Sequence, residues 1–169
     1  MRRMMTLVAV GCVAVATTVG VGAQSAGSGG IGLERAVWED VYGEGEAGQN
    51  FVEYATKDGL PIYVGFEDDI ISSIEVVVSE AEHGGLTADQ AEGLVEALLP
   101  ADAELDETFM VPESPAHPGR VLYAQSWESD WLEDNVGDDS ETVLVILQED
   151  QTENGMDTLI TGVSLLLEE

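Results

Sequence analysis

Acidic side chains outnumber basic ones by 34 to 5 in this chain, which carries a formal net charge of −29 at pH 7. Because like charges repel, the chain folds only if its apolar residues, 44% of the total, build a core that outweighs the repulsion. The charge makes nucleic acid and anionic lipid surfaces unfavourable partners and favours a protein partner with a basic surface. Two interpretations stay open: a solvated surface suited to a salty or calcium-containing exterior, or a specific site for a cation or cationic ligand.

The N-terminus predicts export. Residues 1–23 begin with two arginines, continue with an apolar run and end in small residues at Val21 and Ala23, which is typical of a cleaved signal peptide. We therefore expect a secreted, periplasmic or other cell-envelope protein, cut after Ala23 and without membrane contact after cleavage. Two alternatives are an uncleaved N-terminal helix that anchors the protein, and lipid attachment at Cys12, the only cysteine. Since the rest of the chain holds no cysteine for disulfides, we interpret the protein as prokaryotic.

Beyond the signal peptide, the composition divides the chain in two. Residues 24–31 consist mostly of Gly, Ser and Ala, which predicts a flexible leader. Residues 32–169 have the length and the apolar content of one acidic domain with its own core. We therefore predict a single folded domain that begins near Gly32.

Hydrophobic periodicity predicts an α+β domain. One amphipathic helix is expected over 33–42, and a second follows the capping box of Thr87 and Gln90 and ends at Pro100. Strand-like segments are 51–54, 62–66, 70–78, 105–111, 121–127, 142–148 and 158–167. The pattern predicts an antiparallel sheet of about six to seven strands with two helices packed on one face. Segment 142–148 is apolar on both faces, which favours an interior strand.

A similar sequence precedes each predicted helix. Gly32-Leu33 stands before the first and Gly85-Leu86 before the second, which suggests a duplicated helix-plus-meander unit over 32–84 and 85–169.

Together with Val37, Trp38 and Gly43, these residues resemble the tandem modules of β-lactamase inhibitor proteins. They also resemble the single modules of SmpA/OmlA (BamE-like) small envelope lipoproteins, and the chain is similar in style to other small exported bacterial proteins. The resemblance implies a non-catalytic exported module that acts by binding. It transfers no site residue, because the chain beyond residue 23 lacks the inhibitors' cysteines and the context of Cys12 departs from a lipobox.

The sequence indicates no catalytic and no cofactor-binding residue. It contains neither a Gly-x-Ser-x-Gly nor a His-Glu-x-x-His motif, and His83 and His117 each stand alone. We therefore expect that the protein is not an enzyme. A small secreted hydrolase that uses two carboxylates stays open as an alternative, because 34 acids supply many pairs with suitable spacing by chance.

Calcium is the one metal that the acidic composition suggests, because its ligands are oxygen atoms. The acidic segment between the strand-like segments 121–127 and 142–148 holds the candidates, although their spacing is not that of an EF-hand. The candidate ligands are Asp130, Glu133, Asp134, Asp138, Asp139 and Glu141.

Two tryptophans in the same segment are candidates for partner binding. Trp127 and Trp131 are four residues apart and flanked by acids, so that on one helical turn they could stack on a sugar or grip a basic side chain. The alternative is that both pack against the core. The combined expectation is an exported, non-enzymatic interaction module, with the hydrolase and a membrane-anchored envelope structural protein as alternatives. The oligomeric state stays open.

Overall fold

The computed structural model of the protein describes residues 29–56, 59–78, 84–111, 120–137, 141–151 and 158–168. The predicted signal peptide over 1–23, most of the predicted leader, His83 and His117 lie outside these ranges. Among the described residues, no helix combines the length and apolar character needed to span a membrane.

Helices and strands alternate in two series along the chain. The described helices are α1 (Arg35–Tyr42), α2 (Ala88–Leu98) and the short α3 (Asp130–Asn135). The strands are β1 (Glu46–Ala47), β2 (Val52–Ala55), β3 (Pro61–Glu67), β4 (Ile70–Val77), β5 (Glu104–Val111), β6 (Arg120–Glu128), β7 (Thr142–Gln151) and β8 (Thr158–Leu167). The predicted α+β class is confirmed.

All eight strands form one antiparallel sheet in the order β1-β2-β3-β4-β8-β7-β6-β5. The prediction of about six to seven strands missed the two-residue β1, because Glu46 and Ala47 show neither alternation nor β-branched side chains. The interior position predicted for the strand over 142–148 agrees with β7, which pairs with β6 on one side and β8 on the other.

The core lies between one face of the sheet and the helices. Side chains that lie opposite each other in neighbouring strands share a face, and one such row joins Tyr54, Ile62, Val76 and Val163, all at most 4% exposed. Each helix adds residues to the same cluster; these are Trp38 from α1, Ala91, Leu94, Val95 and Leu98 from α2, and Leu132 from α3. The described helices therefore cover one face of the sheet.

Local sequence explains why α2 begins and ends where it does. The Thr87 side chain accepts a hydrogen bond from the Gln90 backbone N–H at 3.3 Å, and the Thr87 N–H donates to Gln90 Oε1 at 2.9 Å. This reciprocal pair satisfies two N–H groups that a helix start leaves without partners. Pro100 follows the last turn and cannot continue the helix.

Packed structure begins before Gly32. Gly29 and Ile31 donate backbone hydrogen bonds to the carbonyls of Leu99 and Leu98 at 3.1 and 3.0 Å, and Ile31 is fully buried. Residues 29–31, predicted as the end of the leader, thus lie against the C-terminal end of α2. Gly32 itself adopts φ +80°, and a Cβ there would lie 2.5 Å from Leu132 Cδ2, so that glycine is required at the entry to α1.

The strand order is symmetric about the central β4–β8 pair. Each half consists of a helix followed by four strands, and the last strands of the two halves pair at the centre. The segment before each helix also pairs with the last strand of its own half: Leu33 accepts from the Ile71 N–H at 2.9 Å, and Leu86 exchanges two backbone hydrogen bonds with Ile160. A duplicated unit would give this arrangement, and duplication itself stays a prediction.

Candidate functional site

The candidate site is the face of the sheet opposite the helices, which we name the open face because no described element packs on it. One row of directly opposed residues crosses seven strands there: Glu53, Tyr63, Glu75, Ser164, Ile146, Ala124 and Phe109. Glu46 of β1 lies opposite Glu53 and extends this row to the eighth strand. Neighbouring rows add Ser73, Val77, Glu104, Glu107, Ser126, Glu128, Leu144, Gln148 and Leu166. The open face is thus a continuous surface of paired strands.

Between its two outer ends the open face is mainly apolar, with one exposed carboxylate, Glu75 of β4, directly opposite Ser164. Val77 of β4 and Leu166 of β8 are each 38% exposed. Leu144 and Ile146 of β7 are half-buried, and Phe109 extends this apolar group to the edge strand β5, where it is 42% exposed. Small residues such as Ser126 and Ser164 separate them, so that the surface carries few projections. Water-exposed aliphatic and aromatic side chains grouped in this way are a common feature of protein interaction sites.

The two outer ends of the open face are acidic. On one side Glu46 of β1 lies directly opposite Glu53 of β2, and on the other Glu104 of β5 lies directly opposite Glu128 of β6. All four side chains are exposed. Carboxylates directly opposed in neighbouring strands have Cβ atoms about 5 Å apart and repel each other, which destabilises the sheet. A cationic ligand that reaches either pair would relieve this repulsion.

We expect Glu104→Gln to raise the free energy of unfolding at low salt by a few tenths of a kcal/mol, because it removes one carboxylate from an opposed pair. The control Glu92→Gln makes the same charge change on the exposed side of α2. The difference between the two variants should shrink as added NaCl shortens the Debye length from about 30 Å at 0.01 M to about 3 Å at 1 M. Urea unfolding at both salt concentrations measures it, and equal effects of the two substitutions would argue against local repulsion.

The basic side chains that the structure describes do not neutralise the open face. Within the described ranges one ion pair forms, between Arg35 Nε and Asp69 Oδ1 at 3.9 Å, and it belongs to the α1 side of the sheet. The Arg35 guanidinium also lies over the Phe66 ring, 4.1 Å from its centroid. The one described guanidinium is therefore engaged away from the acids of the open face.

A shallow cleft beside α1 collects further acids. Its volume is about 390 Å³. The lining residues are Glu34, Arg35, Ala36, Glu39, Asp68, Asp69 and Ile70. Its described lining residues include no Ser, Cys or His that could act as a nucleophile or base, and the guanidinium of Arg35 already faces the carboxylate of Asp69. It therefore offers less of a binding surface than the open face.

Under α1, three aromatic rings pack together, and one of them is the buried phenol of Tyr54. Trp38 stacks on Tyr42 with ring centroids 4.0 Å apart and meets Tyr54 edge-on at 6.0 Å. The Tyr54 hydroxyl donates a hydrogen bond to Glu39 Oε1 at 3.3 Å. Burial, followed by the negative charge of Glu39, raises the pKa of Tyr54 to about 12, while Arg35 acts in the opposite direction. Burial also raises the pKa of Tyr42.

These shifts predict a loss of stability in alkali. A phenol of the unfolded chain ionises near its ordinary pKa of 10.0, whereas folded Tyr54 keeps its proton until about pH 12. The stabilisation is therefore complete below pH 10 and falls as the pH rises from about 10 to about 12. Urea unfolding across this pH range should show the loss of stability. Tyr54→Phe should weaken the dependence of stability on pH, and the dependence that remains should come from Tyr42. An unchanged slope in the variant would exclude Tyr54 as its source.

Trp127 and Trp131 belong to different elements and do not share a helical turn. Trp127 is the penultimate residue of β6 and donates from Nε1 to Gln125 Oε1 at 3.2 Å. Trp131 lies in α3, where its backbone N–H donates to Asp102 Oδ2 at 2.8 Å. Both side chains are half-buried against the core cluster. This placement corresponds to the packing alternative, and a partner role for the pair stays a prediction.

Four of the six calcium candidates lie within the described residues. Asp130, Glu133 and Asp134 lie in α3 and Glu141 precedes β7, all of them exposed or at the surface, while Asp138 and Asp139 fall outside the described ranges. Within those ranges, no three Asp, Glu, His or Cys side chains come close enough to hold a metal ion. Calcium binding by the full set of six stays a prediction.

The residues of the open face were not among the predicted site residues. One signal for them was present, because Leu144 and Ile146 give the strand over 142–148 a second apolar side. The opposed glutamate pairs had no such signal. They depend on the pairing of β1 with β2 and of β5 with β6, which sequence periodicity does not specify.

Comparison of the chain with protein-family models, with curated proteins and with solved structures finds no match. The resemblance to β-lactamase inhibitor proteins and to the envelope lipoproteins therefore stays a prediction, and the geometry of the open face is the basis for assigning a function.

Proposed function

We propose that this protein is an exported, non-enzymatic binding module whose open face docks a protein partner with a basic surface. The observation that carries the proposal is the mainly apolar middle of the open face, which includes the carboxylate of Glu75, between two acidic ends, on a sheet face that no described element covers. An apolar centre with a charged rim is the usual arrangement of a protein interface. The acidic composition of the whole chain adds long-range attraction for a basic partner.

The two parts of the open face have different roles in this proposal. The apolar middle supplies affinity, because each aliphatic side chain that a partner covers loses contact with water. The acidic ends supply orientation and association rate, since exposed ion pairs contribute only about 0.2–1 kcal/mol each but steer the encounter over longer distances. A partner that places basic residues at both ends and apolar residues between them would match the pattern.

Affinity capture with a matched pair of variants tests the proposal. The bait is the tagged protein, and the source is the extracellular and envelope fraction of the producing cells. One variant carries Glu53→Gln, Glu75→Gln and Glu107→Gln on the open face. The control carries Asp89→Asn, Glu92→Gln and Glu96→Gln on α2, whose exposed side chains lie on the helical side. Both variants lose the same number of negative charges.

We expect the wild type and the α2 control to capture the same basic protein at low salt. The open-face variant should bind it about tenfold more weakly, because the ion pairs of three exposed carboxylates together contribute on the order of 1.4 kcal/mol. High salt should weaken capture by all baits. No captured protein at any salt, or equal losses in the two variants, would contradict the proposal.

A further inference from the structure

The long edge of the sheet offers a second kind of contact to the same partner. Strand β5, Glu104–Val111, is the last strand of the order and pairs with β6 on its inner side. No other described strand pairs with its outer side. An edge strand of this length presents a row of backbone N–H and C=O groups to which another strand can pair. The side chains of residues 104–110 are all exposed.

The opposite edge of the sheet is protected, whereas no described residue protects the second half of the β5 edge. At the other end, β1 is only two residues long, too short to template a further strand. In the first half of β5, an irregularity between Leu105 and Glu107 and three carboxylates disfavour pairing with a further strand. The second half, 108–111, contains no charge, proline or glycine and keeps a regular register with β6. Natural proteins usually protect an edge strand with charges, proline, a bulge or a covering element.

We infer that a β-strand of the basic partner pairs with the outer edge of β5 and extends the sheet by a ninth strand. The inference rests on the proposed function and adds its binding mode. The incoming strand places its basic residues beside Glu104, Asp106 and Glu107 and its apolar residues beside Phe109 and Met110, which are 42% and 66% exposed. Backbone hydrogen bonds supply the pairing, and the side chains set the direction.

The charge of β5 argues for a basic strand over a second copy of this chain. A second copy would bring another body with a formal net charge of −29 to an edge that already carries three carboxylates. A basic strand gains attraction at the same place. Phe109 belongs to both the open face and β5. A partner docked on the open face can therefore also place a strand along the outer edge of β5.

Synthetic peptides test strand addition directly. The probe is an octapeptide of four lysines followed by four valines, which matches the carboxylates of the first half of β5 and the apolar side chains of its second half. The first control is the same peptide with every second backbone nitrogen methylated, which keeps the charge and removes hydrogen-bond donors. The second control replaces lysine by glutamate. Binding to the full protein is followed by fluorescence anisotropy, and hydrogen exchange of individual backbone amides is followed by NMR.

We expect the lysine peptide to bind and to slow the exchange of outward-facing β5 amides on the order of tenfold, with little change in β1. The methylated and glutamate peptides should leave β5 exchange unchanged. Equal binding of the methylated peptide, protection away from β5, or no binding by the lysine peptide would overturn the inference. If that happens while partner capture still depends on the open-face glutamates, strand addition is wrong and the proposed function stands. Peptide pairing at β5 without any captured partner would instead contradict the proposed function and leave the strand-pairing edge supported.

Discussion

Trp38→Ala is expected to lower the free energy of unfolding by about 3–5 kcal/mol, the usual cost of truncating a buried aromatic side chain. Trp38 is 1% exposed and joins α1 to the sheet through its contacts with Tyr42 and Tyr54. Because domains of this size are stable by about 5–15 kcal/mol, the variant should unfold at much lower urea concentrations and expose α1. Urea titration followed by far-ultraviolet circular dichroism measures the loss without depending on tryptophan fluorescence.

Trp38→Phe is the matched control for this prediction. The Nε1 group of Trp38 is buried and has no hydrogen-bond partner among the described residues, so that removing it forfeits no hydrogen bond. Phenylalanine keeps an aromatic ring beside Tyr42, and the cost should be well below that of alanine. Equal losses for the two substitutions would mean that ring packing under α1 does not hold the helix to the sheet.

The second large effect is expected on binding. Substituting Phe109 and Leu166 together by serine should weaken the partner complex by about 2–3 kcal/mol, or roughly 30- to 150-fold, because both side chains belong to the apolar middle of the open face. Both are more than one-third exposed, so that the folded domain should lose little stability. Titration calorimetry with the captured partner measures the loss.

Val41→Ser supplies the control for the apolar contribution. Val41 is 37% exposed, close to the 38% of Leu166, but lies on α1 at the other side of the sheet. We expect unchanged partner affinity for this variant. If Val41→Ser weakens binding as much as Leu166→Ser does alone, the partner does not dock on the open face.

Much of the fold was predictable because its signals are local. The capping box of Thr87 and Gln90, the stop at Pro100 and the alternation of apolar residues in the longer strands each depend on a few neighbouring residues. The two apolar sides of 142–148 correctly placed β7 inside the sheet. The two-residue β1 carries no such signal, and the pairing of β4 with β8 joins residues far apart in sequence.

The candidate site was less predictable for the same reason. Glu104 and Glu128 are 24 residues apart in the chain and become opposed only through the register of β5 with β6. Trp127 and Trp131 had a helical spacing, but β6 continues through Trp127, and α3 starts only at Asp130. The strand predicted over 121–127 already contained Trp127, and of the two tryptophans the helix that starts after it holds only Trp131.

Carboxyl footprinting of the protein, free and bound to its captured partner, is the most direct test of the open face as a docking surface. A water-soluble carbodiimide labels exposed carboxylates, and mass spectrometry reads the extent of labelling at each residue. The open-face residues Glu53, Glu75 and Glu107 and the α2 residues Glu92 and Glu96 are all exposed in the free protein. We predict that the partner protects the three open-face glutamates and leaves the two α2 glutamates unchanged. Protection of α2 with unchanged labelling at Glu53, Glu75 and Glu107 would contradict the proposed function.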